Sequence, residues 1–166
     1  MNAVRMAVES VGGTLSITST PHVGSNLTLR LPLMLAIMPA LLVRLQHETY
    51  AIPMVNILET MKIPTNLVRW IKHREVIPYR ETVLPLVRLQ ERLGQPIASH
   101  HGRPIPVVVV EVNSRKAGLV VDDLLTQQEV VMKSMVGRLR ALKGVAGATI
   151  LGDGRVAMIL DVASLV

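Results

Sequence analysis

Four times between residues 41 and 161, two short runs rich in Val, Leu and Ile flank a polar turn of two to four residues. The pairs are Leu41–Leu45 with Tyr50–Pro53, Val76–Arg80 with Val83–Leu89, Ile105–Val112 with Ala117–Val121, and Val145–Leu151 with Val156–Asp161. The turns between them are Gln46-His47-Glu48-Thr49, Glu81-Thr82, Asn113-Ser114-Arg115-Lys116 and Gly152-Asp153-Gly154-Arg155. β-Branched side chains pack well on a pleated surface, and so short a connection joins antiparallel neighbours. Parallel strands would need crossovers of a dozen residues or more. Four hairpins at this spacing therefore predict small β-barrels. Their core is built without Phe and with only 2% aromatic residues, so aliphatic side chains and Met must fill it. Alternation assigns Tyr50, Ile52, Leu84, Leu86, Val120, Ile150, Val156 and Ile159 to that core. Gly118, Gly144, Gly147, Gly152 and Gly154 fit turns and close packing.

The first residues read differently. Val4, Ala7, Val8 and Val11 recur at helical spacing, and Gly12-Gly13 is a stop signal. Thr14–Ser19 and Asn26–Leu31 then alternate with period two around Thr20–Ser25, a hairpin loop. One helix and one hairpin bury neither face of a sheet, so this opening reads as the end of a larger domain. Leu33–Ala40 is an apolar joint. Further on, Leu67–Ile71 reads as one helical turn capped by Asn66, and Gln90–Leu93 as a short helix ended by Gly94. Gly94–Pro106 reads as a linker.

Several functions find little support. The net charge is +6, which raises nucleic-acid binding. The excess is spread as +1, +3 and +2 over residues 1–37, 38–101 and 102–166, and base-stacking aromatics are scarce. With no cysteine there is no disulfide framework and no thiolate zinc site. Of His22, His47, His73, His100 and His101, four lie in predicted turns or linkers and none has an acidic partner at ligand spacing, so they read as solvated loop residues. Pro32 and Pro39 interrupt the longest apolar run, and the start shows no signal-peptide pattern. Asp153 reads as turn chemistry, and Asp122 as an acceptor for backbone donors at a strand end.

Gly24-Ser25-Asn26 reads as a glycine loop able to offer N–H groups to phosphate. In company it says more. Gly12–Ser19, Gly24–Leu33 and Leu35–Ile37 together resemble the end of a histidine-kinase ATP-binding domain, and the continuation into Leu-Pro-Leu-Met-Leu-Ala-Ile is similar to the CheA family of chemotaxis kinases. Tyr50-Ala51-Ile52-Pro53, Ile77–Leu89, Gly118–Asp122, Gln128–Lys133 and Gly144–Val162 resemble that family's CheW-like regulatory domain. The resemblance implies a mainly β fold of two SH3-like five-stranded barrels with strands partly exchanged. It implies residues 1–36 as the C-terminal remnant of an α/β ATP-binding domain and 37–166 as the CheW-like domain. It implies docking to a CheW-type adaptor, to chemoreceptor cytoplasmic tips and to the rest of the kinase, in the cytoplasm at membrane-associated receptor arrays.

The departures bear on activity. The family's G-x-G box, the Asn-bearing helix and Asp box for Mg-ATP, and the phosphoacceptor histidine have no counterpart here. No cofactor is therefore expected for this chain, which would act by binding; Gly24 and Ser25 are the vestige of the phosphate loop. Nucleic-acid binding and direct membrane insertion are not expected. The unpaired N-terminal hairpin is expected to self-associate, to exchange strands or to be highly mobile. The alternatives are a stand-alone CheW-like adaptor, an ATP-dependent kinase module and a nucleic-acid-binding small barrel. Partner contacts are expected at Arg80 and Glu81, at the tip Gln46, His47 and Glu48, and at Trp70, the single Trp, which is either an interface anchor or a core plug. Glu81 stands where the family has Gly, so a tight turn there would strain it.

Overall fold

The computed structural model describes residues 2–10, 13–31, 37–133 and 143–166. The chain divides into two units, residues 1–36 and residues 37–166. In the first, helix α1 (Asn2–Ser10) precedes strands β1 (Thr14–Thr20) and β2 (Gly24–Arg30), which pair antiparallel from Thr14↔Arg30 to Thr20↔Gly24. The Gly13 N–H reaches back to the Val8 carbonyl at 2.8 Å, the wrap that closes a helix C-terminus. Of the helix's expected apolar face only Val8 is buried; Val11 lies outside the described residues. Ile17, Leu27 and Leu29 are nearly half exposed, as befits a hairpin with one side uncovered.

The second unit is almost entirely strand. It runs β3 (Ile37–Leu45), β4 (Glu48–Pro53), β5 (Ile57–Ile63), β6 (Arg69–Ile71), β7 (Arg74–Tyr79), β8 (Thr82–Arg88), α2 (Leu89–Arg92), β9 (Ile105–Val112), β10 (Arg115–Val120), β11 (Asp123–Val131), β12 (Val145–Ile150), β13 (Val156–Leu160) and α3 (Val162–Leu165). All four expected hairpins are present. Two sheets result, ordered β5-β9-β10-β8-β7-β6 and β11-β3-β4-β13-β12. Each joins one hairpin to another by a single parallel contact, β10 with β8 and β13 with β4. The same five-strand plan therefore occurs twice, with β6 added to the first. The second sheet takes β3 and β4 from before the first sheet and β11–β13 from after it, the exchange expected of the fold. Lys133 and Ala148 exchange backbone hydrogen bonds of 2.9 and 3.3 Å, tying β12 to the continuation of β11 across that sheet.

Three apolar clusters fill the unit. Val107, Val109, Ile63, Ile77 and Leu84 pack inside the first sheet, and Ala40, Leu42, Ala51 and Ile159 inside the second. Between the sheets lie Val108, Val110, Leu119, Val43, Leu45, Ile52 and Leu160. β9 thus buries both faces, which is why it reads Val-Val-Val-Val rather than alternating.

Several expectations are corrected. Leu67–Ile71 is not helical: Thr65–Leu67 form a short 3-10 turn without a side-chain cap, and Arg69–Ile71 are strand β6. Lys72 and His73, both at positive φ, make the tight turn into β7. Gly24 and Ser25 are not loop residues but the first residues of β2. Ile150 and Val156, assigned to the core, are 57% and 64% exposed, because Thr149 and Leu151 take the inward positions. At the β7–β8 turn the left-handed residue is Arg80, φ +54, and not Glu81.

Gly118 on β10 is held by contact. A Cβ there would lie 2.7 Å from a Val107 methyl and 2.8 Å from a Leu86 methyl, both in the packed interior. Gly152, in the β12–β13 turn, would meet nothing within 4 Å. Gly118→Ala is expected to lower unfolding free energy by about 1–3 kcal/mol, and Gly152→Ala to change it by less than ~0.5 kcal/mol; paired urea titrations measure both.

Candidate functional site

The expected contact residues occupy three hairpins, and no hydrogen bond or ion pair among the described residues links one to another. At the β7–β8 tip, Arg80 is bonded to Glu59 of β5 at 3.0 Å and lies over the Tyr79 ring, 5.2 Å from its centroid. The Tyr79 hydroxyl donates to the same Glu59 oxygen. β5 begins its sheet and β7 is fifth in it, so this contact records the sheet curling on itself. The Tyr79 hydroxyl first, and then the Arg80 guanidinium, hold Glu59 below the usual carboxylate range. The Arg80 side chain is still 72% exposed, leaving most of its five N–H donors for another molecule. Glu81 and Val83 beside it are exposed too.

The β3–β4 tip is tied inward. The Gln46 N–H donates to Asp122 Oδ2 at 2.6 Å, and the Gln46 side chain donates to the Pro96 carbonyl at 2.9 Å. Glu48 accepts from the Tyr50 hydroxyl at 2.6 Å and from Gln95 at 3.0 Å. Burial first, and then Glu48, push the Tyr50 phenol up. Of this tip only His47 is exposed with no hydrogen bond among the described residues. Trp70 is 69% exposed on β6 and is not a core plug.

Gly24 and Ser25 are spent on the β1–β2 ladder, opposite Thr20 and Ser19. The Ser25 hydroxyl lies 2.9 Å from that of Ser19. The segment is thus a hairpin strand, and alternate N–H groups along it are used across the β1–β2 ladder.

One cluster was not legible in the sequence as a cluster. Asp122 accepts the Gln46 N–H as expected of it, and it also accepts two contacts of 2.8 Å from the buried Gln90 amide. Gln90 in turn accepts the Ala98 N–H at 2.8 Å. His100, read as a solvated loop residue, is instead largely buried, with Nε2 3.4 Å from the Val121 carbonyl and 4.0 Å from Asp122. Asp122 thus pins together the β3–β4 hairpin, α2 and the segment before β9. A second unforeseen pair is Arg88 with Glu75, bidentate at 2.6 and 2.8 Å and mostly buried; Glu75 holds the Arg88 guanidinium more firmly protonated.

This two-sheet plan has known counterparts. A model of the CheW-like domain matches residues 39–166. The chain belongs to the CheW-like domain family. Along its whole length it also aligns with CheA proteins. It is 37% identical over 165 residues to the sensor histidine kinase CheAY of Helicobacter pylori, covering 99% of this chain and 20% of that protein. It is 37% identical over 166 residues to the chemotaxis protein CheA of Bacillus subtilis, covering 100% of this chain and 25% of that one. For CheA of Halobacterium salinarum the identity is 38% over 165 residues, with 99% and 24% covered. The chain therefore spans only a fifth to a quarter of the curated relatives it matches. The scaffolding protein TtCheW of Thermoanaerobacter tengcongensis shares the fold, with a TM-score of 0.62 at 19% identity over 75% of this chain and 89% of that one. This is a CheW-like region of the CheA type.

Asp122→Ala would leave Gln90, 4% exposed, without its acceptor. The expected loss is about 1–3 kcal/mol of unfolding free energy. Asp122→Asn, which keeps an acceptor oxygen, should lose less; chemical denaturation of the two variants orders them.

Proposed function

We propose that this chain is the regulatory end of a chemotaxis histidine kinase. Residues 37–166 dock a CheW-type adaptor and the cytoplasmic tips of chemoreceptors, and so couple receptor state to a kinase domain carried elsewhere. Residues 1–36 are the last helix and hairpin of the ATP-binding domain. The observation that carries this reading is the alignment with CheA proteins through 99–100% of the chain, across residues 1–38 as well as the CheW-like match beginning at 39. A stand-alone adaptor is the alternative. It accounts for the second unit and leaves the first unexplained.

The work proposed for the chain is recognition. Arg80 presents free guanidinium donors at a hairpin tip to a partner carboxylate, with Glu81 beside it. Trp70 and His47 are further exposed contacts, whereas Gln46 and Glu48 shape their tip through the bonds they make within the chain. The protein works in the cytoplasm and reaches the membrane through receptors; among the described residues no helix is long and apolar enough to cross one. The half-exposed β1–β2 hairpin offers an edge through which free chains would self-associate.

Two measurements test this. Arg80→Ala should weaken binding to a CheW-type adaptor or a receptor-tip fragment by about 1 kcal/mol or more with the melting temperature unchanged. Unaltered affinity for both partners removes Arg80 from the interface, and failure of the unsubstituted chain to bind either one refutes the docking role. Incubated alone with labelled ATP, the chain should incorporate no phosphate, because phosphoryl transfer rests on metal and donor groups positioned around the nucleotide. Autophosphorylation would establish the kinase-module reading instead.

A further inference from the structure

The hairpin β6–β7 has features that the fold does not require and that go beyond the part of Trp70 in the proposed docking role. Its strand β6, only Arg69–Ile71, is the last strand of its sheet among the described residues. Its turn is Lys72-His73, with φ of +47 and +62. Asn-Gly is favoured for such a turn because both central residues are left-handed. Here two bulky, basic side chains are carried in that conformation instead. Arg69, Lys72 and Arg74 are all exposed, and none makes an ion pair among the described residues. The hairpin's one carboxylate, Glu75, is already committed to Arg88. Among these cations stand Trp70, 69% exposed, and Ile71, 49% exposed. Trp70 also walls a groove whose other sides include Val68, Arg88, Ile97 and His100.

The backbone decides between kinds of partner. In a hairpin closed by two residues, the flanking pair, Ile71 and Arg74, exchanges hydrogen bonds, and the pattern alternates outward. Trp70 and Glu75 are the next, non-bonded pair. The N–H and the C=O of Trp70 therefore both point away from β7, off an edge that no other strand among the described residues covers. Phosphate oxygens match the N–H but offer the C=O no donor. Lipid tails match neither group, and burying both unpaired is unfavourable. Another extended backbone matches both. The cations around the pair select acidic side chains on it.

We propose that β6 is a docking edge for an extended acidic peptide segment, which adds as a strand beside Trp70, pairs its carboxylates with Arg69, Lys72 and Arg74, and rests an apolar side chain against the indole. The inference deepens the reading of Trp70 as a partner contact. Its test uses neither adaptor nor receptor, so the two stand or fall apart.

Trp70 is the only Trp in the chain, so its fluorescence reports the site alone. The full chain is titrated with an eight-residue peptide alternating glutamate and valine, and with the same peptide carrying lysine for glutamate. The acidic peptide should shift Trp70 emission to the blue with saturation below about 1 mM, and should protect the Trp70 amide from hydrogen exchange. The lysine peptide should do neither. Arg69→Glu combined with Lys72→Glu should weaken the acidic peptide at least tenfold; both positions are exposed, and far-UV circular dichroism checks the fold. Should that variant misfold, raising the salt concentration on the unsubstituted chain must weaken binding in its place. A peptide N-methylated at alternate residues, on the face meeting β6, should lose binding. No emission shift, equal binding of the lysine peptide, or indifference to N-methylation overturns the proposal. So does saturation by vesicles rich in phosphatidylglycerol or by oligo(dT) where the acidic peptide fails.

Discussion

Burial of one set of strands on both faces is the constraint on which the second unit depends. β9 sends Val107 and Val109 into the first sheet and Val108 and Val110 toward the second. β3 does the reverse, with Leu42 inside its own sheet and Val43 and Leu45 in the shared layer. β4 divides Ala51 from Tyr50 and Ile52 in the same way. Two small sheets with few aromatics would each have a thin core. Stacked on a common, mostly aliphatic layer they share one, and strands such as β9 bury both faces. The hydrophobic effect scales with buried area. A short chain whose core is mostly aliphatic can thus close two curled sheets without cysteine.

That arrangement leaves the hairpin tips and outer strands as the surface on which function can be written. Polar groups that face the joint are consumed by it: Asp122 holds Gln46 and Gln90, and Arg88 holds Glu75. Groups that face away keep free donors and acceptors, as Arg80 does at its tip and the Trp70 backbone does at its edge. The division between what stabilises and what recognises follows from which side of a strand a residue occupies. The recognition we propose accordingly falls to side chains that contribute little to the core.

Much of the second unit was readable because its signals are local. Runs of β-branched residues around short polar turns mark hairpins, and all four appear where the sequence puts them. β6 was misread because Leu67, Trp70 and Ile71 imitate helical spacing, and its turn carries Lys-His in place of the usual Gly or Asn. β5 went unseen because Glu59 occupies an inward position, where it meets Tyr79 and Arg80. β11, Asp123–Val131, is polar and kinked by an irregular register between Leu124 and Gln127, so it lacks clean alternation. Ile150 and Val156 were assigned inward because nearly every residue of β12 and β13 is apolar or small, and alternation without contrast has no phase.

Composition, turn chemistry and β-branched runs by themselves determined a mainly β chain, the four hairpins, and the CheW-like motifs that name its family. They also excluded a disulfide framework. Only the tertiary structure decided how hairpins join, because the parallel contacts of β10 with β8 and of β13 with β4 link strands 32 and 108 residues apart at their paired positions Gly118↔Leu86 and Met158↔Tyr50. It alone decided that Asp122 meets Gln46 across 76 residues, that Arg80 rests on Glu59, and that Trp70 stands in solvent. The physical reason is the same in each case. Turns and strand propensities depend on neighbours in the chain, whereas pairing order, the burial of a charge and the exposure of an aromatic depend on which surfaces meet after the chain has folded.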